Sequence, residues 1–151
     1  MYRRILVPVD GSGPSMRGLQ EAVRLAQVTG ARLKLIHVVN EFIFDPVYAP
    51  VQLYEPVLES MCANGRKILD EAAAVVRAAG VEVEPELIET VGGSVSKLIL
   101  EAVRSWPADL IVMGTHGRRG ARRAVLGSDA EMVLRTSTVP LLLVRDVSES
   151  A

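Results

Sequence analysis

Four short runs of branched aliphatic residues, with amphipathic stripes between them, restrict this chain more than any other feature. The runs are Ile5 to Val9, Leu33 to Val39, Leu110 to Met113 and Leu141 to Val144. They lack the apolar/polar alternation of a strand with one wet face, so each reads as a buried strand. A fifth run, Val81 to Ile88, does alternate and contains Pro85, which cannot donate to a ladder; it reads as an edge strand. Between the runs, apolar residues recur at helical spacing. Met16, Leu19, Val23 and Ala26 mark one helix, Met61, Ile68, Ala72, Val75 and Ala79 a second that stops at Gly80, and Val95, Leu98, Ile99, Ala102 and Val103 a third. Ser94 is placed to cap the third helix, and Trp106-Pro107 closes it, with Trp106 read as a packing residue. Ala130, Val133 and Leu134 begin a fourth. Strictly alternating strands and helices predict an α/β fold: one open, five-stranded parallel sheet, expected order 3-2-1-4-5, with helices on both faces in a Rossmann-like arrangement.

The chain has 151 residues, the length of one domain; residues 1–146 are expected to form it and 147–151 to fray. Hydrophobic residues make up 49%, which excludes disorder, and aromatics only 4%, so the core is aliphatic. A net charge of −1 gives no general attraction to nucleic acid or anionic lipid. No signal-peptide pattern opens the chain and no apolar run reaches the length of a membrane span. The single cysteine, Cys62, permits no intrachain disulfide, and the expected compartment is the cytoplasm. On its helix face beside Met61, that cysteine reads as core.

The most informative stretch for function follows the fourth strand. Glycines stand at 114, 117, 120 and 127 before Ser128, where the last helix is expected to begin. Glycine lets a backbone take positive φ and approach a ligand closely, and a helix N-terminus offers free N–H groups to an anion. The pattern therefore predicts a phosphate-binding loop, with a merely mobile loop as the alternative. In an open α/β sheet, ligands sit beyond the carboxyl ends of the strands where the strand order reverses. That rule brings the tip of strand one, Pro8-Val9-Asp10, beside Met113-Gly114-Thr115. Asp10 has two readings: a ligand for ribose, base or magnesium, or an organiser of the βα turn in Asp10-Gly-Ser-Gly-Pro-Ser15. Ser128 reads as a phosphate ligand, an N-cap, or both. His116 lies inside the loop as a donor to phosphate, whereas His37 lies in a strand and reads as a satisfied buried histidine. Arg118, Arg119, Arg122 and Arg123 form a local cation suited to phosphate, or else a solvated surface.

Other chemistries find no support. Gly11-Ser-Gly13-Pro-Ser-Met16 begins like a dinucleotide fingerprint but has methionine in place of the third glycine, and no P-loop is present. Two histidines and one cysteine offer no metal-ligand spacing. No Ser/His/Asp set with a nucleophile elbow occurs, and no aromatic platform is interleaved with the arginines, against nucleic acid.

The spacing Gly-x2-Gly-x9-Gly-Ser resembles the nucleotide-binding motif of the universal stress protein family, in its ATP-binding branch. Tyr2-Arg-Arg-Ile-Leu-Val-Pro-Val-Asp10-Gly-Ser looks like that family's opening strand, Leu35-Ile-His-Val38 its second and Val139-Pro-Leu-Leu-Leu-Val144 its last. The resemblance implies an ATP-binding regulatory protein. Val38 would line the adenine through its backbone, Pro8 and Asp10 would flank base and ribose, and Met113, Gly114, Gly117 and Gly127 would shape the loop. Thr115, His116 and Arg118 fall within that loop, and Ser128, Asp129 and Ala130 would meet the phosphates. The chain departs from the pattern at Asp129, where ATP-binding members usually carry an apolar residue. A carboxylate there suits an empty helix terminus and repels polyphosphate, unless it points away or coordinates a divalent cation; no metal site is expected from the protein alone, with Asp10 or Asp129 a candidate magnesium contact once nucleotide is bound. The resemblance also implies a homodimer through the last strand, residues 139–145. A slow ATP hydrolase and a nucleotide-free dimeric adaptor are the alternatives; no catalytic base is set apart by its spacing.

The segment Asn40 to Pro56 is long for a connection and holds four of the six aromatic residues, Phe42, Phe44, Tyr48 and Tyr54. It reads as a flap near the ligand or a dimer contact, or as a local hydrophobic cap.

Overall fold

A computed structural model describes residues 1–41, 47, 50–116 and 125–147. The elements run β1 (Arg4–Pro8), α1 (Gly13–Thr29), β2 (Arg32–Asn40), a 3-10 turn (Val51–Leu53), α2 (Tyr54–Ala78), β3 (Val83–Thr90), α3 (Val95–Ser105), β4 (Leu110–Gly114), α4 (Ser128–Thr136) and β5 (Leu141–Val144). All strand pairs are parallel and their order is β3-β2-β1-β4-β5, as the sequence predicts.

The sheet separates two aliphatic cores. On one face Leu19, Ala22 and Val23 of α1 and Leu69, Ala72, Ala73 and Val76 of α2 close over Ile5, Val7, Leu33, Leu35 and Val112. On the other, Ile99, Ala102 and Val103 of α3 and Ala130 and Val133 of α4 close over Leu6, Ile36 and Ile111. Strands with apolar residues on both faces need cover on both sides, which explains the unbroken runs in β1 and β4.

Local chemistry sets the helix ends. Ser12 caps α1 through a bond from the Ser15 amide to its Oγ (3.3 Å), Pro14 lies in the first turn, and Gly30 ends the helix at φ 74°. Gly80, at φ 75°, ends α2 as expected. Ser94 occupies the cap position of α3, but its hydroxyl bonds the Ser96 hydroxyl (2.7 Å) and makes no cap bond.

Two boundaries differ from the sequence reading. The third strand starts at Val83, not Val81, because the Val81 amide is used to close α2, donating to Val76 O at 3.2 Å. It lies at the sheet edge, where Pro85 costs no ladder bond to a further strand. The long connection is also shorter than expected: α2 begins at Tyr54, so Pro56 falls in its first turn, where a missing N–H costs nothing. Residues 42–46, 48 and 49, with Phe42, Phe44 and Tyr48, lie outside the described residues, and so does 148–151.

Candidate functional site

The ends of β1, β2 and β4 and the start of α4 surround a cavity of about 690 Å3. It lies at the switch point between β1 and β4, and its size falls in the range of small-molecule sites. Pro8 and Asp10 come from the end of β1, Val38 from β2, Met113, Gly114, Thr115 and His116 from β4 and its exit, and Gly127, Ser128, Asp129 and Ala130 from the entry to α4; all line the cavity. Gly117 and Arg118, with Gly120 and the remaining loop arginines, lie outside the described residues.

The β1 side is held by a compact turn. The Asp10 carboxylate accepts from the Ser12 amide (2.9 Å), and the Asp10 amide donates to the Ser15 hydroxyl (3.0 Å). The turn-organising reading of Asp10 therefore holds, and the same residue faces the cavity. Behind it, the His37 ring is buried and its Nδ1 stands 2.8 Å from the Val9 carbonyl, so Nδ1 carries the proton and the ring is the satisfied core histidine expected.

The β4 side depends on close backbone approach. A β-carbon on Gly114 would stand 2.6 Å from the carbonyl carbon of Pro14, and one on Gly127 would stand 3.0 Å from the Thr115 oxygen. Neither glycine has positive φ. The expectation that the loop glycines serve left-handed turns is corrected at these two positions: what they avoid is a steric clash between backbones. Thr115 donates its amide to Val144 O (3.0 Å) and accepts from the Gly127 amide (2.7 Å), so both ends of the loop are tied to the sheet.

The start of α4 is shaped for an anion. The structure makes Gly127 the N-cap and Ser128 the first helical residue, correcting the assignment of Ser128 as cap. Among the described residues no side chain caps this helix, so none of them competes for the N–H groups of its first turn. Nearby, Thr115 Oγ1 and His116 Nδ1 are 3.1 Å apart, and His116 Nε2 is shut off from solvent with no hydrogen-bond partner among the described residues. A buried imidazole nitrogen without a partner is costly and marks a place where a ligand group would be welcome. Opposing these features, Asp129 and Glu131 place two acids in the same helical turn. Glu131 is paired with Arg135 (2.9 Å).

The sequence reading missed several residues of the cavity wall. Asn40 at the end of β2, Met61 and Asn64 on α2, Val95 and Ile99 on α3, and Val125 contribute to it. Val95 and Ile99 belonged to a recognised apolar stripe, but nothing in a stripe tells which of its members border a cavity. Cys62 is buried; burial pushes its thiol up, aided by its bond to Glu89 (Sγ–Oε1 3.4 Å), so it is a core residue and not a thiolate nucleophile. Among the described residues no group of three or more His, Cys, Asp or Glu is arranged to hold a metal. No helix among them is long and apolar enough to cross a membrane.

Comparison with known proteins agrees with this architecture. Residues 1–145 match the model of the universal stress protein family. A universal stress protein of Methanocaldococcus jannaschii is 32% identical over 145 residues, covering 96% of this chain and 83% of its own. Among solved structures, a universal stress protein family member from Burkholderia pseudomallei superposes with a TM-score of 0.76 at 34% identity, covering 95% of this chain and 96% of that one. A universal stress protein solved in complex with cAMP superposes with a TM-score of 0.65 at 26% identity, covering 95% and 98%. The strand order, the glycines that follow β4 in the sequence and the match across nearly the whole chain lead to one assignment: this chain belongs to the universal stress protein family.

Proposed function

We propose that this protein is a regulatory nucleotide-binding protein whose ligand is an adenine nucleotide, ATP by the motif it carries, held in the cavity at the tips of β1 and β4. The observation that carries the reading is the joining of three features in one cavity: a helix N-terminus and a His116 Nε2 that have no side-chain cap and no hydrogen-bond partner among the described residues, and the Asp10 turn. A relative that was solved with cAMP supports the ligand class. In this reading Pro8 and Val38 line the base, Asp10 meets the ribose, and Thr115, His116, Gly117, Arg118 and the first turn of α4 receive the phosphates. Magnesium, where it accompanies the phosphates, takes most of its ligands from them, with Asp10 or Asp129 adjacent. The sequence sets no general base apart by its spacing, and the reading is therefore one of binding, with slow hydrolysis as the alternative.

The same proposal includes a homodimer formed through β5, in a protein of the cytoplasm. β5 is an apolar edge strand, and Leu142 on it is exposed.

The test is thermal. A ligand that binds only the folded state stabilises it, by about 2.7 kcal/mol at a hundredfold excess over Kd. Mg-ATP is expected to raise Tm, and Gly117→Val to remove that rise without unfolding the protein. An equal rise in the variant would place the ligand elsewhere; no rise with any adenine nucleotide would overturn the proposal in favour of a nucleotide-free adaptor.

A further inference from the structure

The first turn of α4 carries two acids, and their situations differ. Glu131 is exposed and bound to Arg135 at 2.9 Å. Asp129 is half-buried, lines the cavity, and has no hydrogen-bond or ion-pair partner among the described residues. Its carboxylate therefore brings a negative charge, unpaired among the described residues, to the wall of the cavity where the helix terminus and His116 would receive an anion. The two effects oppose each other. Helix N–H groups and the imidazole attract the first phosphate, and their pull is short-ranged, concentrated on the oxygens they touch. The charge of Asp129 acts on every phosphate in the cavity, and in a partly desolvated site that repulsion is poorly screened. With respect to these described groups, each added phosphate thus gains less attraction than the one before and meets the same repulsion.

Resting on the nucleotide-binding reading above, we infer that Asp129 makes this site select nucleotides by phosphate charge. A nucleoside monophosphate binds without metal. A triphosphate binds comparably only when a divalent cation offsets its charge. The ligand state is then set by free magnesium as well as by nucleotide concentration.

The experiment is a set of binding titrations on the full chain with adenosine monophosphate and adenosine triphosphate, each in EDTA and in excess magnesium. In EDTA the wild-type protein is expected to bind the monophosphate at least about tenfold more tightly than the triphosphate, a difference of about 1.4 kcal/mol. Magnesium should reduce that ratio to within about threefold. Asp129→Asn should do the same in EDTA, by strengthening the triphosphate more than the monophosphate, in keeping with their charges. Glu101→Gln, on the exposed side of α3, makes the same change in net charge away from the cavity and should leave the ratio alone. Thermal melts of both variants check that they fold. A wild-type preference for metal-free triphosphate overturns the inference, and so does a ratio that Asp129→Asn does not move or that Glu101→Gln moves equally; in each of these cases nucleotide binding itself stands. Failure of both nucleotides to bind the wild-type protein under any condition overturns the inference and the binding proposal together.

Discussion

Gly114 and Pro14 stand so close that a β-carbon on Gly114 would lie 2.6 Å from the Pro14 carbonyl carbon and 2.7 Å from its oxygen. Gly18 repeats the relationship one turn along: a β-carbon there would stand 3.2 Å from the Gly114 nitrogen. Together these glycines let the first turn of α1 rest on the end of β4. The β1 turn that carries Asp10 and the β4 exit that carries Thr115 and His116 thereby share one cavity.

Gly114→Ala must displace backbone, which is stiffer than a side chain. The expected cost is about 1–3 kcal/mol of folding stability, read by urea denaturation. A weaker affinity for nucleotide should accompany it, since the strain falls between the two halves of the site. A variant as stable as the parent would show that α1 can shift away freely.

Gly65 in α2 presents two effects of opposite sign. Alanine is favoured over glycine in a helix by about 1 kcal/mol. Its β-carbon, however, would lie 2.7 Å from His37 Cδ2 and 2.8 Å from Leu87 Cδ1. The His37 ring is fixed by its bond to Val9 O and cannot swing aside cheaply. Gly65→Ala is therefore expected to destabilise by about 1–2 kcal/mol net. A rise in Tm would mean that the imidazole gives way.

Lys34 is 7% exposed and lies between Glu84 (Nζ–Oε1 3.0 Å) and Glu86 (Nζ–Oε2 2.7 Å), near the Trp106 ring at 5.9 Å. Trp106, read as a packing residue, also donates from its indole to Glu84 Oε2 at 3.2 Å. Burial alone would push the lysine down; the carboxylates of Glu86 and Glu84 outweigh it and hold the ammonium above its ordinary value. The hydrogen bond from Lys34 holds the Glu84 carboxyl below its ordinary value. Glu84 therefore contributes stability that is full above roughly pH 4.3 and is lost as pH falls through its lowered folded value. Lys34 contributes stability that is full below roughly pH 10.4 and is lost as pH rises through its raised value. The glutamate side chains are 58% and 47% exposed, so solvent limits each contribution to under about 1 kcal/mol. Lys34→Met should flatten the stability profile at both extremes, as measured by denaturation across pH; an unchanged acid limb would assign no role to the pair.

Leu142 is 37% exposed on the edge strand β5, whose neighbours Leu141 and Leu143 pack inward beneath α4. In the proposed dimer this edge pairs with its copy. Leu142→Glu should convert a dimeric mass in light scattering to a monomeric one while the fold persists. A dimer that survives the change would move the interface away from β5.

The sequence by itself determined the architecture. Its buried strands carry apolar residues toward two covers, and its helices carry apolar stripes, so the order of β and α elements follows from periodicities that the backbone imposes locally. It also pointed to the strand tips where the cavity lies, because their place at a reversal of strand order follows from topology. The tertiary structure decided what sequence spacing cannot carry. Gly114 and Gly127 are glycines because of the backbones of Pro14 and Thr115 that meet them, not because of their own φ angles. Ser128 is the first helical residue and no cap, Val81 closes α2 and does not open β3, and Met61, Asn64 and Val95 reach the cavity from distant helices. The helix ends at Val81 and Ser128 are settled by local backbone bonds, whereas the glycine contacts and the cavity wall depend on distances between segments that meet only after the two cores have closed on the sheet.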